Sequence, residues 1–460
     1  MTLPEKAIRI QCFDRLLLRL CCIALLVLSA IARPVPALAQ SGGVNLIRDS
    51  EIEALIRDYA VPIFKAARIN RSSVRIHLVN DRSFNAFVAN GQRLFINAGT
   101  LMIAETPNEV IGVIAHESGH IAGGHLARQR QALERAQTAS IIAMLLGAGA
   151  FAAGGSQTGG AVISGGQSTV MRMFLTYQRA EEAAADRAAV RYLDATGQSA
   201  NGMIKTFERF ADQQLFSSQN VDPYFQSHPM ARDRVTALQN VAEQSRHFNR
   251  TDPPALQLRH DLMRAKLSGY LEHHDTVLRR YPRSDNSLPA RYARAISLYL
   301  HVDVRKGVAA IDELIREMPK NPYFWELKGQ ALLESGRPSE AIGPLRQALS
   351  LTPEADLIRL MLGHALLATE NPANLDVAIN ELSRGLSRET EASSGWRQLA
   401  IAYGRKGEIA RAELATARAY FAEGDLNQAK QHAARVQKRT SRGSPLWLQA
   451  DDILNFRPPS

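Results

Sequence analysis

The chain has 460 residues, with 55 Lys and Arg against 45 Asp and Glu, a net charge of +10 and 45% hydrophobic side chains. That length suits two domains. The charge is spread rather than clustered and no RNA- or DNA-binding motif accompanies it, so nucleic acid is excluded as a partner, and only a general affinity for acidic partners or an anionic membrane surface stays open.

At the N-terminus, Lys6, Arg9, Arg15 and Arg19 accompany an apolar run from Leu20 to Ile31, and Ala37-Leu38-Ala39 precedes Gln40. This is the pattern of a Sec signal peptide cleaved after Ala39. An apolar core of about 12 residues is too short to span a membrane, and no lipobox is present. Cys12, Cys21 and Cys22 all fall in residues 1–39. The expected mature chain is therefore exported to the periplasm or its equivalent, and has neither a disulfide nor a cysteine nucleophile.

Residues 49–68 place Ile52, Leu55, Ile56, Tyr59, Ile63 and Phe64 at three- and four-residue steps, which predicts an amphipathic helix. Val74, Ile76 and Leu78 alternate with Arg75, His77 and Val79 as in a strand. Phe87-Val88-Ala89, Asn90-Gly91 and Leu94-Phe95-Ile96 predict a hairpin around an Asn-Gly turn. Thr106-Pro107-Asn108-Glu109 then reads as a capping box with proline at the first helical position. Val110, Ile111, Val113 and Ile114 make the following helix a buried one.

That helix carries His116-Glu117-Ser118-Gly119-His120, an HExxH pattern. Imidazoles four residues apart lie about 40° apart around a helix and about 6 Å along it, so both can reach one Zn²⁺ while Glu117 projects beside them. Catalytic zinc needs a third protein donor. On a continuous helix His125 would point about 140° away from His120 and reads as structural, or as a support behind the donors. A carboxylate from a later helix is the other source: in Glu181-Glu182-Ala183-Ala184-Ala185-Asp186, Glu182 and Asp186 share a face, and the alanines let that helix lie close. Asp186 could accept the free ring N–H of a donor histidine, whereas Glu181 better fits the helix dipole.

Between these helices, residues 136–171 carry no charge, with a mostly apolar run from Ala139 to Ala153 and glycines at 154, 155, 159 and 160. The stretch is too short to be a transmembrane helix. It is compatible with a lid or flap over the cleft, with membrane-surface contact through 139–163, or with simple burial. Further on, His228 sits in a Ser227-His228-Pro229 loop, where from the residues alone it could be a surface histidine, and Arg234 follows. After Thr251-Asp252-Pro253-Pro254 a repeat sets in. Trp325, Gly329, Leu332, Ala341, Leu345, Ala348 and Pro353 fit a 34-residue tetratricopeptide repeat. Copies run from Ala295 to Pro319, from Leu362 to Leu382 with three extra residues around Asn371–Asn374, from Trp396 to Ala412, and on towards Trp447. Such arrays bind other proteins on a concave face.

HExxH, Tyr177-Gln178-Arg179-Ala180-Glu181-Glu182-Ala183-Ala184-Ala185-Asp186, and Ser227-His228-Pro229 with Arg234 together resemble the gluzincin metallopeptidases of the Ste-type/HtpX-like family. With the repeats, the chain is similar to that family's periplasmic branch of beta-barrel assembly-enhancing proteases, and the similarity spans nearly the whole mature chain. Gln178 replaces the commoner Ser and Ala189 the commoner Gly, neither at a donor. The resemblance implies one Zn²⁺ held by His116, His120 and Glu182, with Glu117 as general base and Asp186 as supporting acid. It puts His228 near the metal, as a helper of the reaction or as a fourth donor that restrains it, and Arg234 as an anchor of the loop. It suggests Asn85, Ala86, Phe87 and Val88 as the edge strand pairing with substrate, an ordinary core hairpin being the alternative. It also implies unfolded or misassembled outer-membrane proteins as substrates and docking of the repeats to the outer-membrane β-barrel assembly complex. A chaperone or scaffold with latent proteolysis is the competing class. The expected fold is an α+β zincin-type metallopeptidase domain over 40–250, mostly helical with a small antiparallel sheet, followed by an all-α tetratricopeptide-repeat solenoid over 251–457.

Overall fold

The computed structural model describes residues 45–70, 73–89, 92–135, 138, 156–216, 228 and 232–458, with side chains between 156 and 216 described for 176–209. The expected signal peptide, the Asn90-Gly91 turn, residues 139–155 of the uncharged segment, and Ser227 and Pro229 lie outside the described residues.

The chain enters through a two-residue strand β1 (Leu46–Ile47) and helix α1 (Ser50–Ala66), whose N-cap Asp49 accepts the Ile52 N–H. Strands β2 (Arg75–Val79), β3 (Ala86–Ala89) and β4 (Arg93–Asn97) complete a sheet of order β1-β2-β4-β3. The hairpin pairs Phe87 with Phe95 across β3 and β4. The sheet is mixed rather than wholly antiparallel: β2 and β4 run parallel, Arg75 opposite Arg93 and Val79 opposite Asn97. The cause is the path of residues 80–85, which carry the chain past β4 to the outer edge, so that the hairpin returns β4 alongside β2. β3 is thereby left as an edge strand.

Helices α2 (Ala98–Ile103), α3 (Pro107–Gly123), α4 (Ser156–Ala195), α5 (Asn201–Phe216) and α6 (Arg232–Ala242) follow. Residues 156–163 of the uncharged segment belong to the long helix α4. α3 is the central helix, buried without a break from Pro107 to Gly119 and packed against α1, α4 and α5. Val110, Ile111, Val113 and Ile114 join Leu55, Ile56, Ile63, Leu94, Ile96, Leu193 and Phe207 in one apolar core. No helix among the described residues is long and apolar enough to cross a membrane.

From α7 (Pro254–Leu271) and α8 (His274–Arg280) onward the chain is a helical-repeat region of antiparallel pairs: α9 (Leu288–His301) with α10 (Val304–Glu317), α11 (Pro322–Glu334) with α12 (Pro338–Leu351), α13 (Asp356–Ala368) with α14 (Leu375–Leu386), α15 (Ser393–Arg405) with α16 (Ile409–Glu423), and α17 (Leu426–Arg439) with α18 (Pro445–Asn455). One hydrogen bond marks the period: Trp325 donates to the Pro319 carbonyl, Arg359 to that of Pro353 and Trp396 to that of Thr390, each six residues back. The first two donors are 34 positions apart. The third comes three residues late because Pro372–Asn374 adds a 3₁₀ turn.

α7 belongs to both parts. Met263 and Leu267 enter the first core, while Leu262 and Ala265 enter that of the repeats. Between them Lys266, only 2% exposed, points its ammonium at Asp49 (2.7 Å), Glu51 (3.3 Å) and Glu326 (3.7 Å). Tyr292 donates to Glu51 at 2.8 Å. Farther along, Arg48 meets Glu389 at 2.5 Å and Arg75 pairs with Glu391, bordering a cavity of about 780 Å³ between the sheet and α13.

Candidate metal centre

The start of α3 follows from its sequence. Thr106 accepts the Glu109 N–H at 3.4 Å with Pro107 in the first turn. The Glu109 carboxylate turns to the Glu105 N–H and to Lys205 and Arg209 instead of closing the box on Thr106. One helical turn separates His116 from His120, and the helix crosses α4 at Gly119, where an added Cβ would lie 2.9 Å from the Ala185 backbone. That near-contact of main chains brings Glu182 and Asp186 to the histidines, and it is possible because α4 offers only alanine at 183–185.

His116 Nε2 lies 3.1 Å from His120 Nε2 and 3.3 Å from Glu182 Oε2, and His120 Nε2 lies 3.4 Å from Glu182 Oε1. His228 completes the group, with Nδ1 3.1 Å from Glu182 Oε1 and 3.4 Å from His116 Nε2. One atom of each of these four residues lies within 4.8 Å of every other. A tetrahedral Zn²⁺ with bonds of about 2.0–2.1 Å sets its donors about 3.3–3.4 Å apart. The donor spacing fits such an ion, and imidazole with carboxylate is a donor set that Zn²⁺ accepts.

Behind the donors, His116 Nδ1 faces Asp186 Oδ1 at 3.0 Å. Arg234 clamps Asp186 through Nε (2.9 Å) and Nη2 (3.0 Å), and Nη2 also reaches Glu182 at 3.2 Å. Arg234 thus supports the acids directly, from α6. Phe207 stands edge-on to His116 with ring centroids 5.5 Å apart. Glu117 is buried, and neither carboxylate oxygen has a hydrogen bond among the described residues, although His228 Nε2 stands 3.4 Å from Oε1.

Electrostatics match this layout. Burial alone would raise Glu182 and Asp186. For Glu182 the charges of His228 and His116 win and hold it well below the carboxylate range, and for Asp186 hydrogen bonding to His116 and the charges of His116 and Arg234 win and lower it. Burial pushes His116 down, but Asp186 and Glu182 outweigh it and hold the imidazole up at about 10. The field that retains a proton there is one that attracts a cation. His120 is pushed well down, by burial and then by His116, and burial raises Glu117.

The free edge of β3 borders the cleft: Phe87 and Val88 line it together with Glu117, His120, Glu182 and His228. Ala86 is buried beneath, and Asn85 is tied to Thr100. What the helical-wheel reading of His125 missed is the end of α3. The helix stops at Gly123 and Gly124 takes a left-handed φ of 66°, so His125 folds back and sets its Nδ1 2.8 Å from His120 Nδ1. The signal was in the sequence, since a Gly-Gly pair just ahead of a histidine is a helix terminator.

Residues 47–242 match the model of Peptidase family M48, so this segment is a family M48 peptidase domain, and it contains a His/Glu group able to hold a metal. The chain is similar over most of its length to the Beta-barrel assembly-enhancing protease of Escherichia coli (strain K12), 23% identical over 412 residues covering 88% of this chain and 82% of that one. It is likewise similar to the Beta-barrel assembly-enhancing protease of Yersinia pestis, 23% identical over 413 residues covering 85% and 81%. Among solved structures it is similar to the crystal structure of MamA, at 19% identity and a TM-score of 0.28 over 35% of this chain and 90% of that one.

Proposed function

We propose that the protein is a zinc-dependent endopeptidase of the bacterial periplasm that hydrolyses misfolded or stalled envelope proteins during outer-membrane β-barrel assembly. The observation that carries the catalytic reading is the convergence of His116, His120 and Glu182 at tetrahedral spacing, with Glu117 beside them and, among the described residues, an unpaired strand edge alongside. The assembly role and the compartment are supported by the names of the relatives and by the signal-like N-terminus.

His116, His120 and Glu182 hold the Zn²⁺, which when bound supplies Lewis acidity towards the scissile carbonyl and the attacking water. The extended substrate adds to β3 along Ala86–Val88 through main-chain hydrogen bonds, which suits clients of varied sequence; Asn85, expected to share in this, has its N–H and C=O already taken by Thr100 and Asn97. Glu117, made more basic by burial, takes the proton of the water and returns it to the leaving amine, with no covalent intermediate. Asp186 and Arg234 fix the ring of His116. The repeats choose clients or dock to the assembly complex.

A second reading, a chaperone or scaffold with latent proteolysis, gains from one observation. With His228 the set has four protein donors, which is the closed arrangement of structural zinc, whereas a catalytic site keeps one position open. His228 therefore acts as a restraint that leaves the set when a client enters.

The test uses the purified mature chain, zinc analysis and cleavage of an unfolded β-barrel protein. Wild type carries one zinc per chain and Glu182→Ala loses it. Glu117→Gln keeps the metal and loses activity by about 100-fold or more, and His228→Ala cleaves faster than wild type. Full zinc occupancy in Glu182→Ala overturns the donor set. Full rescue of envelope defects by Glu117→Gln turns the assignment to the scaffold.

A further inference from the structure

The two donor histidines are supported differently. His116 leans on a carboxylate, Asp186, held by Arg234. On the His120 side no carboxylate among the described residues touches the ring nitrogen that faces away from the donor set; another imidazole does, with His125 Nδ1 at 2.8 Å from His120 Nδ1. Two ring nitrogens at that distance share one proton. His120 Nε2 faces His116 and Glu182, so the proton sits on His120 Nδ1 and His125 Nδ1 accepts it. His125 Nε2 must then carry the other proton, and it donates to Glu181 Oε2 at 2.8 Å. Glu181 in turn takes Arg128 Nη2 at 2.6 Å and Nε at 3.2 Å. Along His120–His125–Glu181–Arg128 every donor finds an acceptor in one consistent set of tautomers.

We propose that His125 is the positioning residue of His120, and that Glu181 and Arg128 orient it from behind. The turn that delivers it is built for the purpose. Gly124 adopts the left-handed conformation and Gly123 lies under the His125 ring, where an added Cβ would stand 2.2 Å from Nε2. Arg128 also donates to the Gly123 carbonyl and ties the turn to the same relay. His125 is only 5% exposed, so its contact with His120 lies inside, while the Arg128 end of the relay reaches solvent. Both of its nitrogens are spent, on His120 and on Glu181, so it is not a metal donor itself. Its effect is to fix the tautomer and ring plane of His120, as carboxylates do behind other metal-bound histidines.

The inference rests on His120 being a metal donor, and the test separates the two. The full mature chain is stripped of metal and titrated with Zn²⁺ against a chromogenic chelator, and the His120 Nδ1–H proton is followed by NMR in imidazole-labelled protein. His125→Phe, which keeps a ring but removes the acceptor, weakens Zn²⁺ binding about 10- to 100-fold and speeds exchange of that proton with water. His125→Gln, whose amide oxygen can accept, recovers part of the affinity, which a role in packing alone does not predict. Glu181→Gln, which leaves His125 in place, gives a smaller loss of about threefold to tenfold. Zn²⁺ affinity equal to wild type in both His125→Phe and Glu181→Gln overturns the inference, as does a His125→Gln no better than His125→Phe. Failure of wild type to bind stoichiometric Zn²⁺ sinks the metal reading beneath it. If His125→Phe melts early without metal, Glu181→Gln and the His120 proton decide.

Discussion

Asp186, beside the donor histidines, is 4% exposed; Glu326, at the joint between the peptidase domain and the repeats, is 5% exposed. At equal burial they shift in opposite directions. Asp186 is held below the carboxylate range because His116 and both arms of the Arg234 fork face it. Glu326 is raised to about 7, burial prevailing over Lys266, with Asp49 and Glu51 adding repulsion. At the joint, three carboxylates share one ammonium, and at least one of them does best as the neutral acid. The lesson is that burial does not decide a carboxyl's charge; the number of cationic partners within reach does. The centre keeps Glu182 and Asp186 ionised and ready for a cation, while the joint uses its carboxyls as buried connectors.

The sharpest way to break the comparison is Lys266→Met. It leaves Asp49, Glu51 and Glu326 facing one another without a cation, and a loss of about 3–5 kcal/mol is expected, read as a lower denaturation midpoint and earlier proteolytic nicking between the domain and the repeats. Asp186→Asn comes next. It keeps the shape but removes the charge paired with Arg234, and Zn²⁺ affinity should fall about 10- to 100-fold, with the melting temperature of metal-free protein changed much less than by Lys266→Met. The smallest effect is Glu326→Gln, which sharpens the contrast through pH. A carboxyl whose folded value lies above its unfolded one is favourable while protonated and loses stability as pH rises from about 4.5 to about 7. Wild type and variant should melt alike at pH 5, and the variant should melt higher at pH 8, by about 2 °C. A constant difference across that range would show that Glu326 does not titrate there.

How much of this was legible follows from how local each signal is. The capping residues, HExxH, and the shared face of Glu182 and Asp186 depend on neighbours within one or two turns, and the repeats announce themselves through Trp325, Gly329 and Pro353 at fixed offsets. Family resemblance, more than spacing, pointed to His228. A supporting role for His125 was among the readings, but its direction was lost by assuming an unbroken helix through Gly123 and Gly124. Lys266 gave no sign at all. A lysine in a helix reads as solvent-facing, and Asp49 and Glu51 read as ordinary acids of a first turn, because what buries them is a helix more than two hundred residues downstream. The parallel pairing of β2 with β4 was hidden for the same reason, since alternation fixes a strand's faces and not its neighbours.

One consequence follows from where the donors lie along the chain. His116 and His228 are separated by 112 residues, and Glu182 lies on a helix between them. Closing a loop of that size depends on docking α4 onto α3 and α6 onto α4 and α5, which belongs to the slow, long-range part of folding. A growing or half-folded chain presents two helical histidines without their carboxylate, so on the proposed reading the cutting activity would arise only after the domain has assembled, and the protein would be spared from attacking itself while still unfolded.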